Sequence, residues 1–266
     1  MTVAYDGAGF AGSQVQSGQR TVQEVLEDAI ARVYGTKERA TFAGRTDRGV
    51  HAAGQVVSVA DRQPALAAAT IARALNAILP EDVAICRIER IDDAFHARYD
   101  ARWREYRYRM WTGTRAPLAR DVVWRVTGRI DVEAMRRACS GLVGEHDFAA
   151  FASGGEGVPW SERRHAPRGT VRLVYSAEIH RLDPWWEADV EDGTLFELRI
   201  VADAFLPRMV RNVAGALVEI GRGSRGLDWI EALLAARDRR QAGMTAPPHG
   251  LILWRVGYGD DSPPST

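Results

Sequence analysis

The order of helices and strands predicted for the first 111 residues constrains the fold more than any other feature. Its clearest element is a helix after Thr21, because Glu24 completes a capping box and apolar residues follow at helical spacing until Gly35. A second helix is predicted over about 64–79. Strands are predicted over 2–5, 40–43, 55–60, 83–88 and 103–111. The order is β-α-β-β-α-β with one additional strand, which is the split βαβ pattern. We therefore expect this half of the chain to be ferredoxin-like.

The second half of the chain reads as a variation on the same pattern. Helices are predicted over 132–143, 209–220 and 229–236, and strands over 171–179, 185–190, 195–201 and 251–258. We therefore expect an α+β protein with two halves, residues 1–111 and 112–259, and not a parallel doubly wound sheet. Residues 153–169 are rich in Gly, Pro and charge and predict a mobile loop, and residues 260–266 predict a disordered tail.

Composition limits the class of protein. A chain of 266 residues that is 46% hydrophobic can bury a sizeable core. No apolar run approaches the roughly 18 to 20 residues that span a bilayer, and the start lacks the pattern of an export signal. The two cysteines, Cys86 and Cys139, have no C-x-x-C spacing, so neither a disulfide framework nor a thiolate metal site is indicated. We expect a soluble protein of a reducing cytoplasm, without membrane contact.

Charge argues for local rather than bulk attraction to any nucleic acid. The formal net charge is zero, so RNA contacts must come from clusters of basic residues. One crowded stretch, residues 98–109, interleaves five arginines with Tyr99, Trp103, Tyr106 and Tyr108. The six histidines have no ligand spacing such as H-x-x-x-H, so we assign no metal.

The most informative chemistry lies in the segment GRTDRGVHA, residues 44–52. Two glycines bracket a carboxylate that Arg45 and Arg48 flank, and the segment joins two predicted strands. We expect Asp47 on a tight loop, with cationic neighbours that keep it ionised. An ionised carboxylate suits a nucleophile or a base. The structural alternative is an Asp-containing turn held by a salt bridge.

A resemblance to a known family rests on eight segments that occur in order along nearly the whole chain. They are YDGAGFAGSQ (5–14), RTVQEVLE (20–27), GRTDRGVHA (44–52), LNAILP (75–80), FHARY (95–99), YRY (106–108), MVRN (209–212) and APPHGL (246–251). Each segment alone is a weak signal, whereas all eight around an R-T-D loop are specific. Together they resemble the tRNA pseudouridine synthase A family.

The resemblance implies a fold, an activity and a site. The family has the pseudouridine synthase fold, two halves with a cleft between them, and works as a homodimer in which tRNA touches both subunits. It isomerises uridines 38, 39 and 40 of the tRNA anticodon stem-loop. Asp47 matches the catalytic aspartate and Tyr106 the tyrosine that packs against the target base. Arg45, Arg211 and Leu251 match residues that line the same pocket.

The reaction that this resemblance implies needs no cofactor, because neither electrons nor phosphate are exchanged. One ionised carboxylate can attack the ribose or remove a ribose proton, and both routes stay open. The two arginines can instead neutralise buried carboxylates, and Tyr106 and Leu251 can be core strand residues. Two rival functions predict other features: an RRM-type binder would carry an RNP string, and a glycosidase would need a second carboxylate beside Asp47. The sequence contains no RNP string and no carboxylate adjacent to Asp47, which leaves open a second carboxylate that is near Asp47 only in space.

Overall fold

The chain folds into two compact units. The computed structural model describes residues 1–153, 169–186 and 193–264. Unit 1 comprises Met1–Arg102 and Ile252–Asp260, and unit 2 comprises Trp103–Leu251 and Asp261–Thr266. Unit 1 is therefore built from both ends of the chain.

Unit 1 contains a mixed sheet and two helices. Its elements are β1 (Thr2–Tyr5), α1 (Val22–Tyr34), β2 (Thr41–Phe42), β3 (His51–Ser58), α2 (Ala68–Asn76), β4 (Val83–Arg87) and most of β10 (Leu251–Tyr258). The strand order is β4-β1-β3-β10, and β2 pairs with β3. All these pairs are antiparallel except β3 with β10, which run parallel.

The first helix follows the sequence prediction closely. Thr21 is its N-cap, with a side chain that accepts a hydrogen bond from the backbone N–H of Glu24, and Gly35 ends it with φ of 73°. Leu26 and Ile30 are fully buried on its inner face. Because burial of such a side chain contributes about 1.5–3 kcal/mol, this apolar stripe stabilises the helix far more than its caps do.

The described residues of unit 2 contain further strands and three α-helices. Its elements are β5 (Ala101–Trp111), β6 (Trp124–Arg125), α3 (Val132–Ala138), β7 (Gly144–Asp147), β8 (Val171–Leu182), β9 (Leu195–Ala202), α4 (Met209–Gly221) and α5 (Trp229–Ala236). The strands β5-β9-β8-β7 are antiparallel neighbours, and β6 runs parallel to β5. The helix α4 is buried on nearly all sides, including Val213, Ala216 and Leu217.

The described residues thus form a mixed fold of α-helices and sheets, as expected. Two predicted helices are longer than the observed ones. The helix α2 starts only at Ala68, because no side chain caps it and a turn from Gln63 to Leu66 precedes it. The helix α3 gives way to a 3₁₀ turn over Cys139–Leu142, in which Gly141 has poor helix propensity.

Two predicted features lie largely outside the described residues. They are the mobile loop of residues 153–169 and the strand of residues 185–190. At the other end, residues 261–264 carry no helix or strand, and the carbonyl of Asp261 accepts a hydrogen bond of 2.7 Å from the indole of Trp103. Within the part of the chain that the structure describes, no helix is both long and apolar enough to span a membrane.

Candidate active site

Asp47 lies on a short loop between β2 and β3. The carbonyl of Asp47 accepts a hydrogen bond from the backbone N–H of Val50 at 3.1 Å, which closes a turn over residues 47–50. Gly49, at the third position of this turn, has φ of 75°, a value that glycine adopts without strain. Asp47 is half-buried, whereas Arg45 and Arg48 are exposed. Asp47 is therefore partly accessible, and its neighbours in the sequence on both sides of Thr46–Asp47 are exposed arginines.

The inner side of this loop is held by the segment that follows β1. Gly12 and Asp47 form an isolated antiparallel bridge. The backbone N–H of Ser13 donates to the carbonyl of Thr46 at 3.0 Å, and the backbone N–H of Thr46 donates to the hydroxyl of Ser13 at 2.9 Å. Ser13 is 1% exposed, so both bonds are shielded from water. The segment of residues 11–13 thus fixes the backbone beside Asp47.

A second buried group holds the start of the loop. The side-chain amide of Gln55 donates to the carbonyl of Gly44 at 2.8 Å and accepts from its backbone N–H at 3.3 Å. Gln55 also lies 3.4 Å from the phenol oxygen of Tyr5, which is 2.8 Å from the hydroxyl of Thr46. Burial raises the pKa of Tyr5 to about 12, so its phenol is neutral at physiological pH. We call Tyr5, Ser13, Thr46 and Gln55 the polar clamp.

The loop also depends on a close approach of two backbones. A Cβ atom on Gly7 would lie 2.1 Å from the carbonyl oxygen of Val50, far inside van der Waals contact. The backbone N–H of Gly7 donates to Nδ1 of His51 at 3.0 Å. The glycine of the YDG segment is therefore explained by packing against the end of the Asp47 loop.

Tyr106 and Leu251 belong to unit 2, where both are nearly buried. Tyr106 lies in β5 and is 8% exposed. Its ring meets the ring of Phe205 edge-on, with centroids 4.9 Å apart and planes inclined by 76°. Such an edge contact orients an aromatic ring. Leu251 is the first residue of β10 and is 6% exposed.

Arg211 lies in α4, beside the strand that carries Tyr106. Its Nε donates to the carbonyl of Ala246 at 2.7 Å, and the backbone N–H of Ala246 donates to the carbonyl of Arg211 at 3.1 Å. The neighbouring carbonyl, that of Pro247, accepts from the phenol of Tyr108 at 2.7 Å. Burial raises the pKa of Tyr108, and the positive charge of Arg211 opposes that rise. Since Tyr106 and Tyr108 share one face of β5, unit 2 brings Arg211 to the face that carries Tyr106.

Sequence reasoning overlooked the polar group that supports Arg211. The next residue, Asn212, is fully buried, and its amide donates to the carbonyl of Phe151 at 2.6 Å. Its Oδ1 accepts from Arg239 at 3.0 Å and from Thr245 at 2.7 Å. Asn212 stands in the MVRN segment, so its position was signalled. Arg239 lies in none of the eight segments and carried no signal.

The crowded arginines of β5 have structural partners. Glu105 and Glu197 are 3% and 2% exposed, and buried carboxylates require paired charges. Arg107 bonds Glu105 at 2.8 Å and Glu197 at 3.3 Å, and Arg109 bonds Glu197 at 2.9 Å. Arg199 of β9 bonds Glu105 at 3.2 Å. These arginines neutralise buried charge, which the sequence pattern alone did not reveal.

The predicted site residues divide between the two units: Asp47 and Arg45 belong to one loop of unit 1, and Tyr106, Arg211 and Leu251 belong to unit 2. Tyr5, Ser13 and Thr46 of the polar clamp lie in the segments YDGAGFAGSQ and GRTDRGVHA, but nothing in the sequence indicated their hydrogen bonds. Gln55 lies outside all eight segments. Among residues 1–153, 169–186 and 193–264, no three or more His, Cys, Asp or Glu side chains group so as to hold a metal ion.

Comparison with known proteins gives the class to which this fold and loop belong. Residues 1–100 and 138–259 match the family described as tRNA pseudouridine synthase. The chain therefore belongs to the tRNA pseudouridine synthase family, and it is an isomerase that acts on uridine in tRNA.

Individual relatives resemble the chain over almost its full length. It is 45% identical over 266 residues to the tRNA pseudouridine synthase A of Solidesulfovibrio magneticus, which covers 97% of this chain and 90% of that protein. It is 40% identical over 260 residues to the protein of the same name from Bacillus subtilis, with 97% of each chain covered. The relative from Citrifermentans bemidjiense is 39% identical, covering 97% of this chain and 96% of its own.

Proposed function

We propose that this chain isomerises uridine to pseudouridine at positions 38, 39 and 40 of the tRNA anticodon stem-loop, with Asp47 as the catalytic residue. One observation carries the assignment to Asp47: its loop is fixed from inside by buried hydrogen bonds, while the residue itself is only half-buried. A carboxylate held this way is accessible to a substrate and costs little to orient during the reaction.

The reaction balances without any added group. The bond from N1 of uracil to C1′ of ribose breaks, the base turns, and a bond from C5 to C1′ forms. The proton on C5 leaves to solvent, and N1 takes up a proton from solvent. An ionised Asp47 either attacks C1′ or removes a ribose proton, and both routes begin from the carboxylate. Because a base within a stem is shielded, the nucleotide must first flip out of the helix.

The other site residues take supporting roles in this proposal. Tyr106 stacks on the freed base, and its edge contact with Phe205 keeps the ring oriented. Arg211 supplies a positive charge, and its bond to the carbonyl of Ala246 restricts its direction. Arg45 contacts the RNA beside the target, and Leu251 packs against the base.

We also propose the finer architecture that the family resemblance implies, two ferredoxin-like halves with a cleft between them. The order β4-β1-β3, with β2 on β3, supports this in unit 1, and β5-β9-β8 supports it in unit 2. From the same resemblance we propose a homodimer in which tRNA touches both subunits, and a cytoplasmic location. Sedimentation of the purified protein tests the dimer, and a fully active monomer at nanomolar concentration would rule it out.

The decisive experiment separates chemistry from binding at Asp47. Asp47→Asn keeps the shape of the side chain but removes its anionic oxygen, so tritium release from tRNA labelled at C5 of uridine should fall to background. Affinity for tRNA should change much less, since phosphate contacts dominate it. Substrates with a single uridine at position 38, 39 or 40 test the positions.

Asp28→Asn is the matched control. This carboxylate lies on α1, is 64% exposed, and has an ion pair of 3.8 Å with Lys37. We expect Asp28→Asn to release tritium at the wild-type rate. If Asp47→Asn also does so, Asp47 is not catalytic. If Asp47→Asn instead stops binding tRNA altogether, Asp47 has a structural role in its turn.

A further inference from the structure

Residues 44–47 are tethered at alternate positions. Gly44 has both of its backbone polar groups bonded to the amide of Gln55, and Thr46 has both of its own bonded to Ser13. The residues between and after them, Arg45 and Asp47, are exposed and half-buried. Thr46 between them is buried. The tethers therefore hold Thr46 inside unit 1 while Arg45 and Asp47 on either side of it stay more exposed.

Ser13 bonds to the two peptide groups that precede Asp47 in the chain. Its hydroxyl accepts from the N–H of Thr46, which fixes the peptide group between Arg45 and Thr46. Its backbone N–H donates to the carbonyl of Thr46, which fixes the peptide group between Thr46 and Asp47. Peptide groups are planar, so holding two in succession sets the torsion angles at Thr46 and hence the position of the Asp47 Cα atom. The bond from the Val50 N–H to the Asp47 carbonyl restrains the peptide group on the other side.

We propose that Ser13 is a positioning residue for Asp47, acting through the hydrogen bond from the Thr46 N–H to its hydroxyl. This role depends on the catalytic role of Asp47 proposed above. The hydroxyl is the only part of the Ser13 side chain that can accept this bond, and the backbone bridge at Gly12 brings it within reach. Tyr5 completes the arrangement by bonding the Thr46 hydroxyl at 2.8 Å.

The neighbourhood of Ser13 leaves little freedom for the loop to adjust. Ser13 is 1% exposed and Thr46 7%. A Cβ on Gly12 would lie 2.9 Å from the carbonyl oxygen of Thr46, so the two segments are already in close contact. Without the hydroxyl, the Thr46 N–H would be a buried donor without its acceptor, and the loop would move to satisfy it. Movement of this kind redirects the carboxylate.

The test compares serine variants by turnover and by stability. Ser13→Ala should lower kcat for tritium release by roughly ten- to hundredfold, because misplacing a reacting group by 1 Å can cost about a hundredfold. KM for tRNA should stay within about twofold, since phosphate contacts are untouched. Ser13→Thr keeps the hydroxyl and should retain most of the turnover. The melting temperature of each variant is measured in parallel.

Ser58→Ala is the matched control for stability. The Ser58 hydroxyl accepts from the backbone N–H of Ala97 at 3.3 Å, the same kind of bond in the same unit, at the far end of β3. Its loss should lower the melting temperature and leave kcat unchanged. If Ser13→Ala behaves in the same way, Ser13 only stabilises the fold and the positioning role is wrong.

Two further outcomes keep this inference distinct from the proposed function. If Asp47→Asn is inactive while Ser13→Ala keeps wild-type kcat, the catalytic role of Asp47 is supported and the positioning role of Ser13 is wrong. If Asp47→Asn stays active, the catalytic role of Asp47 is wrong, and the positioning role of Ser13 that depends on it is wrong as well. Should Ser13→Ala fail to fold, Tyr5→Phe removes the other tether of Thr46 without changing ring volume. A kcat within twofold of wild type for Tyr5→Phe would then overturn the positioning of Asp47 through Thr46.

Discussion

The phenol oxygen of Tyr5 lies 2.8 Å from the hydroxyl of Thr46, so the end of the first strand is bonded to the residue that precedes Asp47. The contact is inside the unit, since Tyr5 is 5% exposed. It links two segments, YDG and RTD, that the sequence presents as separate motifs. Their common occurrence in one chain therefore has a physical reason, since each completes the hydrogen bonds of the other.

The first prediction concerns Tyr5 and alkaline pH. Burial raises the pKa of Tyr5 to about 12, whereas a tyrosine in an unfolded chain titrates near ~10. The folded state thus holds this proton more tightly, and its contribution to the free energy of unfolding is complete below about pH 10 and lost as the pH rises towards 12. Tyr5→Phe should reduce the fall in melting temperature across this window.

Cys139 titrates in the same direction, since burial raises the pKa of its thiol to about 12. Cys139 is present in both wild type and Tyr5→Phe. The melting temperature of each protein therefore still falls as the pH rises. The measurement is the melting temperature of wild type and Tyr5→Phe at several pH values between about 9 and 12. Equal slopes for the two proteins would mean that the Tyr5 phenol is not protected by burial.

The second prediction concerns the close approach of Gly12 to the loop. Gly12 has φ of 119°, and a Cβ there would lie 2.9 Å from the carbonyl oxygen of Thr46. Gly12→Ala should destabilise the protein by about 1–3 kcal/mol through backbone strain, and it should lower turnover by displacing the loop.

Gly18→Ala serves as the comparison for Gly12→Ala. Gly18 also has a positive φ, 69°, but nothing lies within 4 Å of an added Cβ. Its replacement should cost stability alone, about 1 kcal/mol. Thermal denaturation and tritium release measure both variants. Equal activity of the two would show that the contact at Thr46 has no bearing on catalysis.

The third prediction concerns the ring of Tyr106. If its face stacks on the target base, Tyr106→Phe should keep much of the activity and Tyr106→Leu should lose roughly ten- to hundredfold, because base stacking is worth about 1 to 3 kcal/mol. Turnover and melting temperature are compared for both variants. Equal turnover of the phenylalanine and leucine variants would exclude stacking.

The fourth prediction concerns cofactors. The isomerisation exchanges neither electrons nor phosphate, so activity should survive EDTA and need no added nucleotide or redox cofactor. Since Mg²⁺ also helps tRNA to fold, the assay uses tRNA folded beforehand and kept in monovalent salt. Activity that disappears with EDTA and returns only with a metal would contradict a reaction carried by Asp47 alone.

Elements with a strong local signal could be predicted from the sequence. Thr21, Glu24 and Gly35 mark the first helix by their own chemistry, and the bounds of α5 and β10 were predicted at the residues where they occur. The helix α2 was overestimated, because the apolar pattern extends beyond the residues whose backbone is helical. Local patterns identify a helix more reliably than its ends.

The features of the candidate site also divide into those that a sequence motif indicated and those that it did not. Asp47 was signalled by a motif, and the loop that carries it lies between two strands as expected. The hydrogen bonds of Ser13 and Gln55 were not signalled, because their partners are backbone groups 33 and 11 residues away, and such contacts leave no periodicity in a sequence. The pairing of Arg107 and Arg109 with Glu197 was equally hidden, since Glu197 lies on another strand.

The division of unit 1 between the two ends of the chain has a consequence for synthesis on the ribosome. Ile252 and Leu253 pair with His51 and Ala52, so the parallel neighbour of β3 is synthesised only after Trp103–Leu251 of unit 2. Until then one edge of β3 lacks this neighbour, and open strand edges invite pairing with other chains. A nascent chain therefore exposes an unpaired edge of β3 while unit 2 is made, and this edge is prone to aggregation during that time.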